Sequence, residues 1–378
     1  MDLTLNLFEI LRWDSDCLDD FLEITERNYQ TYMLKCVAEI LTSTKSTHSS
    51  ELVSGIKRLQ APALKRILIS PELNKRVNLA ARGDSSEFAR FIQSSLTAEH
   101  LLMDESDMSC DAEPSVLWTA LGDYQFSVSA VKKTKVMSQP KYLNDWGLLV
   151  DWKSPNTVNP IDDDIGKTGF DQIMPLNTCA NAIHESEEKL SLSAYLIADV
   201  CPQAQSFIKR VLSVVCLRFS EGVERGYLSY SSRDRIGRAV LVNCDLPQAT
   251  IPVLVNALIH EAIHSLIYRL EIHTPLSEIP KSASEIRYVS SPWSGKQLRL
   301  STYLHACYIY WALYSFWDQA SLFGKIDDRI IQEQRQHLIG GFIKNKATLK
   351  SAVTTGMIKP AIAKQIGNMT SVIKHESS

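Results

Sequence analysis

The sequence lacks any uninterrupted apolar run of the roughly 18 residues that a membrane-spanning helix needs. Its opening residues, MDLTLNLFEILRWDSD, carry acids where a signal peptide has positive charge. They also lack a long apolar core and a small-residue cleavage site. We therefore expect a cytoplasmic protein with no membrane partner.

Paired cysteines are also missing. The eight cysteines stand singly along the chain, without a C-x-x-C pair. Several lie in apolar stretches such as VLSVVCLRF, whose pattern we interpret as helical. This distribution is typical of reduced core thiols in a cytosolic protein.

A strong excess of one charge sign is absent as well. The chain has 40 Lys and Arg against 43 Asp and Glu, which gives a formal net charge of −3. Nothing in this balance favours nucleic-acid binding, so we expect no nucleic-acid partner. Lys and Arg are in excess only after Gly324, in a pattern typical of a solvated helical face.

What is present predicts an α+β fold that is predominantly α-helical. We expect three regions: an N-terminal helical region (1–110), an irregular, strand-containing connection (111–180) and a C-terminal domain (181–378) with a small β element. Apolar residues recur at three- and four-residue spacing in the first region, whereas turn-forming residues dominate the second. The sequence leaves the oligomeric state open.

Two elements of the third region precede its main motif. CPQAQSFIKRVLSVVCLRFSEG is predicted to be helical, opened by Pro202 in the first turn. RIGRAVLVNCDL follows as a predicted short strand. It is interpreted either as a structural strand or as an edge that receives a peptide by β-addition.

The main motif is His-Glu-x-x-His within VNALIHEAIHSLIYRLE, residues 255–271, which reads as one apolar helix. His260 and His264 are one turn apart, so their side chains share a face about 6 Å apart and can share a metal ion. Glu261 lies about 100° further round the helix, where its carboxylate can approach a metal-bound water without being a ligand. The motif therefore predicts two metal ligands and a residue that could act as a base, and so predicts that the C-terminal domain (181–378) is a metal-binding catalytic domain.

The residues alone leave the third ligand open. Ile267 and Leu270 stand where a metzincin-type peptidase has Gly and His, which excludes that subclass. Glu285 has about the separation of a gluzincin-type ligand, whereas Glu271 lies about 10 Å further along the helix axis than His264 and is less favoured. His305, in LRLSTYLHACYIYW, is the competitor, although a single His in an apolar helix is also typical of a hydrogen-bonded core residue.

The metal helix is followed, about thirty residues later, by SPWSGKQLRLSTYLHA. This pair of motifs resembles the HExxH-motif proteins associated with ribosomally synthesised, post-translationally modified peptides. The resemblance covers roughly Gly237 to Tyr314, about a fifth of the chain. Some members are 2-oxoglutarate-dependent iron enzymes that hydroxylate a side chain of the precursor peptide. It implies that this chain is an oxygenase that uses Fe(II), 2-oxoglutarate and O2 on such a peptide.

Carried onto this sequence, the resemblance implies that His260, His264 and His305 bind the iron. Three neutral imidazoles leave coordination positions for 2-oxoglutarate and dioxygen. It also implies that the loop Ser291–Gly295, with Trp293 and Ser294, lies near the site.

The far carboxylate of 2-oxoglutarate then needs a cation. Arg299 offers a bidentate fork, with Ser301 beside it, and Lys296 is the other candidate. Arg299 is explained equally well as a surface or salt-bridged arginine.

Glu261 has a different task in each of two hypotheses. In the oxygenase it orients water or a ligand imidazole. In the alternative, a zinc peptidase that uses His260, His264 and Glu285, it is the general base. A non-catalytic peptide-binding protein that retains a metal motif is the third hypothesis.

Overall fold

A computed structural model of the protein describes residues 7–43, 47–103, 115–128, 133–134, 141–158, 180–220, 226–277, 288–354 and 358–376. Helices dominate and the sheets are small, so the predicted α+β, predominantly helical class is confirmed. The helices are α1 (Leu7–Ile10), α2 (Leu18–Ser43), α3 (Thr47–Arg58), α4 (Ala61–Leu68), α5 (Pro71–Ala81), α6 (Ser86–Met103), α7 (Pro155–Val158), α8 (Ala180–Val200), α9 (Pro202–Val211), α10 (Ile251–Glu271), α11 (Leu300–Phe323), α12 (Asp328–Val353) and α13 (Pro360–Glu376).

The described strands form three sheets. A five-stranded mixed sheet has the order β4-β5-β6-β8-β7, with β5, β6 and β8 parallel and the two outer strands antiparallel to their neighbours. The other two sheets are antiparallel: β1-β2-β3 and the hairpin β9-β10. The strands are β1 (Ser115–Trp118), β2 (Gln125–Val128), β3 (Lys133–Thr134), β4 (Lys141–Leu143), β5 (Leu148–Asp151), β6 (Val214–Arg218), β7 (Leu228–Ser231), β8 (Arg238–Val242), β9 (Tyr288–Ser290) and β10 (Gln297–Arg299).

The stretch VLSVVCLRF is not one helix, so that prediction is wrong. Helix α9 starts at Pro202 as expected but ends at Val211, and strand β6 begins at Val214. Every residue of β6 is buried, because the strand lies between two parallel neighbours. A buried inner strand is a continuous apolar run, which periodicity cannot distinguish from a buried helix.

Strand β8 confirms the predicted strand ahead of the metal motif. It pairs with β6 on one side and β7 on the other, so its backbone groups are already used on both sides. A peptide therefore cannot add to β8, and of the two interpretations of this strand the structural one holds.

The chain divides into two compact units. One, called the motif unit, contains Met1–Thr25, Ser193–Ile208 and Val255–Ser378; the other, the sheet unit, contains Glu26–Leu192 and Lys209–Leu254. This division differs from the three predicted regions, because the N-terminal residues group with the C-terminal helices. Two indole hydrogen bonds fix α1 and its following turn to α11. Trp13 donates to the carbonyl of Ala312 and Trp311 to that of Phe8, each at 2.9 Å.

Helix α10 is the one described helix that is long and apolar enough to cross a membrane. However, 61% of its most apolar window is buried inside the protein. The core helix of a soluble protein has the same length and composition, and the burial of α10 favours that reading.

Cysteine pairing is absent among the described residues. Their six cysteines are all free, and four of them are buried. Burial raises the pKa of the Cys201 and Cys216 thiols to about 11, so both stay protonated at neutral pH. The two remaining cysteines, Cys110 and Cys179, lie outside the described residues.

Two neighbouring glycines of α12 differ in their surroundings. A Cβ added at Gly341 would lie 2.0 Å from the indole of Trp293, whereas one added at Gly340 would meet nothing within 4 Å. We expect Gly341→Ala to lower the free energy of unfolding by up to about 2 kcal/mol, because overpacking costs about 1–3 kcal/mol and the gain in helix propensity is about 1 kcal/mol.

Gly340→Ala is the matched control, and we expect it to raise stability by up to about 1 kcal/mol. Urea unfolding followed by circular dichroism measures both variants. If both variants changed the free energy of unfolding by the same amount in the same direction, the indole of Trp293 would not require a glycine at position 341.

Candidate metal centre

Helix α10 begins from a loop that one lysine holds in place. Lys189 donates from Nζ to the carbonyls of Cys244, Asp245 and Leu246, at 3.1, 2.9 and 2.8 Å. Pro252 follows in the first turn, where its missing N–H costs nothing. The start of the motif helix is therefore defined by specific contacts on the preceding loop.

Along α10, four chemically active side chains recur on one face. His260, His264, Tyr268 and Glu271 follow at spacings of four, four and three residues, which is one stripe of an α-helix. The described chain contains one group of three or more potential ligands that lie together: the ligand atoms of His260, Glu261 and His264 are within 4.8 Å of one another. A possible metal-binding site is thus present where the motif predicts it.

Burial differs within this group. Glu261 is only 2% exposed, whereas His260 and His264 are partly exposed. The carboxylate is therefore more fully enclosed than the two imidazoles beside it.

His305 approaches the motif from helix α11. Its Nδ1 lies 3.1 Å from the Nδ1 of His264, and the two ring centroids are 5.3 Å apart. The Tyr268 ring stacks on His264 at 5.7 Å and lies 5.3 Å from His305. His305 thus contacts His264, although the group whose ligand atoms all lie within 4.8 Å of one another contains His260, Glu261 and His264 and not His305.

This arrangement suits a bound metal ion. Two nitrogens 3.1 Å apart subtend about 98° at an ion placed about 2.05 Å from each, between the angles of about 90° and about 109° of octahedral and tetrahedral coordination. Burial, and then the neighbouring His260 and His305, lower the pKa of His264 well below its ordinary value. His264 is therefore neutral at pH 7, which is the form that binds a metal.

Glu271 is the residue that sequence reasoning set aside and the structure brings in. Its Oε2 lies 3.4 Å from Nε2 of His305, and both side chains are buried. Glu271 lies about 10 Å further along the helix axis than His264, which is too far for the two side chains to share an ion. It contacts instead the imidazole of His305, which lies on α11. The signal in the sequence is the spacing of Glu271, seven residues after His264 on the same helical face.

Glu285, the alternative third ligand, lies outside the residues that the structure describes. Its role as a zinc ligand stays a prediction.

The candidates for binding 2-oxoglutarate lie at the start of α11 and in the preceding hairpin. Arg299 is the exposed N-cap residue of α11, and Ser301 is one turn before His305. Lys296 and Ser294 are exposed in the loop between β9 and β10. Within the described part of the chain, neither Arg299 nor Lys296 forms an ion pair, so the salt-bridged reading of Arg299 is not supported there.

Trp293 of the same loop is a packing residue. Its ring stacks on Tyr310 at 4.3 Å and meets Phe342 edge-on at 5.0 Å. Its Nε1 donates to the carbonyl of Leu338 at 3.3 Å. These contacts anchor the hairpin on α12, and a further role of Trp293 at 2-oxoglutarate stays a prediction.

No protein-family model matches the sequence, and no curated protein matches it either. The function is therefore inferred from the chemistry of the site and from the resemblance of its two motifs.

Proposed function

We propose that this protein is an Fe(II)- and 2-oxoglutarate-dependent oxygenase that hydroxylates a side chain of a ribosomally made precursor peptide in the cytoplasm. The observation that carries the proposal is the contact between the motif helix and His305, whose Nδ1 lies 3.1 Å from that of His264. It supports a three-histidine set, as the resemblance implies, without requiring a carboxylate ligand.

Each residue of the group has a role under this proposal. His260, His264 and His305 hold the iron as neutral imidazoles, and the burial of His305 keeps one side of the site closed to water. Bound iron, with 2-oxoglutarate and O2, supplies the oxidising chemistry. Glu261, buried beside the first two histidines, orients a ligand imidazole or a water.

The co-substrate needs a partner for its far carboxylate. Arg299 offers two parallel N–H donors from the start of the helix that carries His305, with Ser301 next on that helix. Lys296 offers a single charge from the neighbouring hairpin loop. Arg299 is the better fit, because a guanidinium matches both carboxylate oxygens.

A zinc peptidase is the second candidate, and one observation favours it. The Glu261 carboxylate lies within 4.8 Å of the ligand atoms of both motif histidines, where it can take a proton from a water molecule that attacks a peptide bond. The same geometry therefore serves hydrolysis if zinc is the native metal.

The two candidates differ in their products. We expect the protein with Fe(II), 2-oxoglutarate and O2 to form succinate above the level of a His305→Ala control, and the zinc-loaded protein to leave a mixture of unrelated peptides uncut. Succinate is measured by mass spectrometry and cleavage by the appearance of new amino termini. Peptide cleavage without succinate would reject the oxygenase.

Glu261→Gln gives a second distinction. If the protein is a peptidase, this variant should lower hydrolysis by about 10²–10⁴-fold, the usual contribution of a general base. In the oxygenase we expect it to lower succinate formation by at most about 10–100-fold, through weaker metal binding, because the carboxylate orients a ligand imidazole or a water and takes no proton from the substrate. Loss of succinate with intact metal binding would contradict this role.

A further inference from the structure

His305 has different neighbours at its two ring nitrogens. Its Nδ1 faces Nδ1 of His264 at 3.1 Å, and its Nε2 faces Oε2 of Glu271 at 3.4 Å. His305 is only 4% exposed, and its Nε2 is enclosed without a hydrogen bond of good geometry. The contact with Glu271 is slightly longer than the roughly 2.7–3.2 Å of a formed hydrogen bond.

This placement bears on which nitrogen of His305 keeps its proton, because the Nδ1 contact with His264 is at hydrogen-bond distance and either ring can be its donor. Leaving a buried polar nitrogen unsatisfied costs about 1–3 kcal/mol, and Nε2 can donate to the carboxylate of Glu271 only if it carries the proton. In a neutral imidazole the other nitrogen, Nδ1, then has the lone pair. That lone pair is directed to the side where His264 lies.

We propose that Glu271 is a positioning residue that makes His305 a metal ligand through Nδ1. The proposal rests on the proposed metal centre. Helical side chains lean toward the N-terminus of their helix, so Glu271 reaches back over the turn that contains Tyr268 and meets the imidazole beside it. A metal ion on Nδ1 withdraws electron density from the ring and strengthens the N–H donor at Nε2. Metal binding and the Glu271 contact therefore stabilise each other.

The first test measures zinc affinity by competition with a chromophoric chelator, using the full chain at fixed pH. Partners that orient a ligand imidazole typically contribute 10–100-fold to metal affinity, so we expect Glu271→Gln to weaken zinc binding by about 10–100-fold. Glu333→Gln is the matched control, because it removes the same charge from an exposed position of α12. It should leave the affinity unchanged.

The second test needs no substitution at Glu271 and so does not depend on how that variant folds. Long-range ¹H–¹⁵N spectra of the protein with labelled histidine rings show which nitrogen carries the proton and which binds zinc. The His305 signals are identified by their absence in His305→Ala. We expect a protonated Nε2 and a zinc-bound Nδ1; zinc on Nε2 with the proton on Nδ1 would overturn the proposal.

The outcomes separate this role from the metal centre itself. If His305→Ala weakens zinc binding and Glu271→Gln does not, the centre stands and Glu271 contributes only to the fold. If neither variant changes the affinity, His305 is not a ligand, and the three-histidine centre fails together with the role of Glu271.

Discussion

Replacing His305 with alanine is expected to lower the affinity for zinc by more than about 100-fold, since an outer partner alone contributes about 10–100-fold. Its Nδ1 lies 3.1 Å from Nδ1 of His264, and α11 carries it against the motif helix. Without it, the motif offers two imidazoles and the enclosed Glu261 carboxylate. Competition with a chromophoric chelator measures the loss.

His273→Ala is the control for this substitution. His273 lies two residues after the end of α10 and is exposed, so we expect its removal to leave zinc affinity unchanged. Circular dichroism verifies that both variants keep their helical content. If the two variants bind zinc equally well, His305 is a core histidine and not a ligand.

Glu72→Gln is expected to lower the free energy of unfolding by about 3–5 kcal/mol, the cost of breaking a buried charge cluster from one side. Glu72 lies in the sheet unit and accepts hydrogen bonds from Arg76 at 2.8 Å and Arg235 at 2.9 Å, with Arg238 at 3.6 Å. All four side chains are buried. A neutral amide would leave the three guanidinium groups without this charge.

The pH dependence of this effect follows from the pKa of Glu72. Burial alone would raise that pKa, but the charges of Arg235, Arg238 and Arg76 together hold it below its ordinary value. A lowered folded pKa means that the carboxylate stabilises the fold above its ordinary pKa and loses this effect as the pH falls through the folded value. The difference between wild type and Glu72→Gln should therefore shrink in acid.

Glu87→Gln provides the comparison for Glu72. Glu87 pairs with Arg90 at 2.7 Å in an exposed contact one turn apart, and such a pair contributes about 0–1 kcal/mol. Urea unfolding at pH 7 measures both variants. If Glu72→Gln lowered the free energy of unfolding no more than Glu87→Gln does, the charge of Glu72 would not be needed to stabilise the three buried arginines.

Local patterns in the sequence predict the motif helix and the strand before it. The spacing of His260 and His264 defines one helical face, and the β-branched run of β8 lies where it is expected. Strand β6 is missed because its five residues are all buried, and a short apolar run of this kind contains no periodic signal.

Contacts between distant segments are the part that local patterns do not supply. His305 follows His264 by 41 residues, and its place at the motif was implied only by the resemblance. The distance of Glu271 from His264 along α10 argued against a role at the site. That distance does not include His305, which α11 places beside Glu271. The packing of Trp293 against Gly341 likewise depends on how the β9-β10 hairpin meets α12.

An anaerobic titration of the metal-free protein with Fe(II) and then 2-oxoglutarate is the most direct test of the proposed function. Chelation of 2-oxoglutarate by protein-bound iron gives a visible metal-to-ligand charge-transfer band. We expect this band in the wild-type protein and its loss in His305→Ala. If no band forms in the wild type while zinc binds tightly, the site is not a 2-oxoglutarate oxygenase and hydrolysis becomes the better explanation.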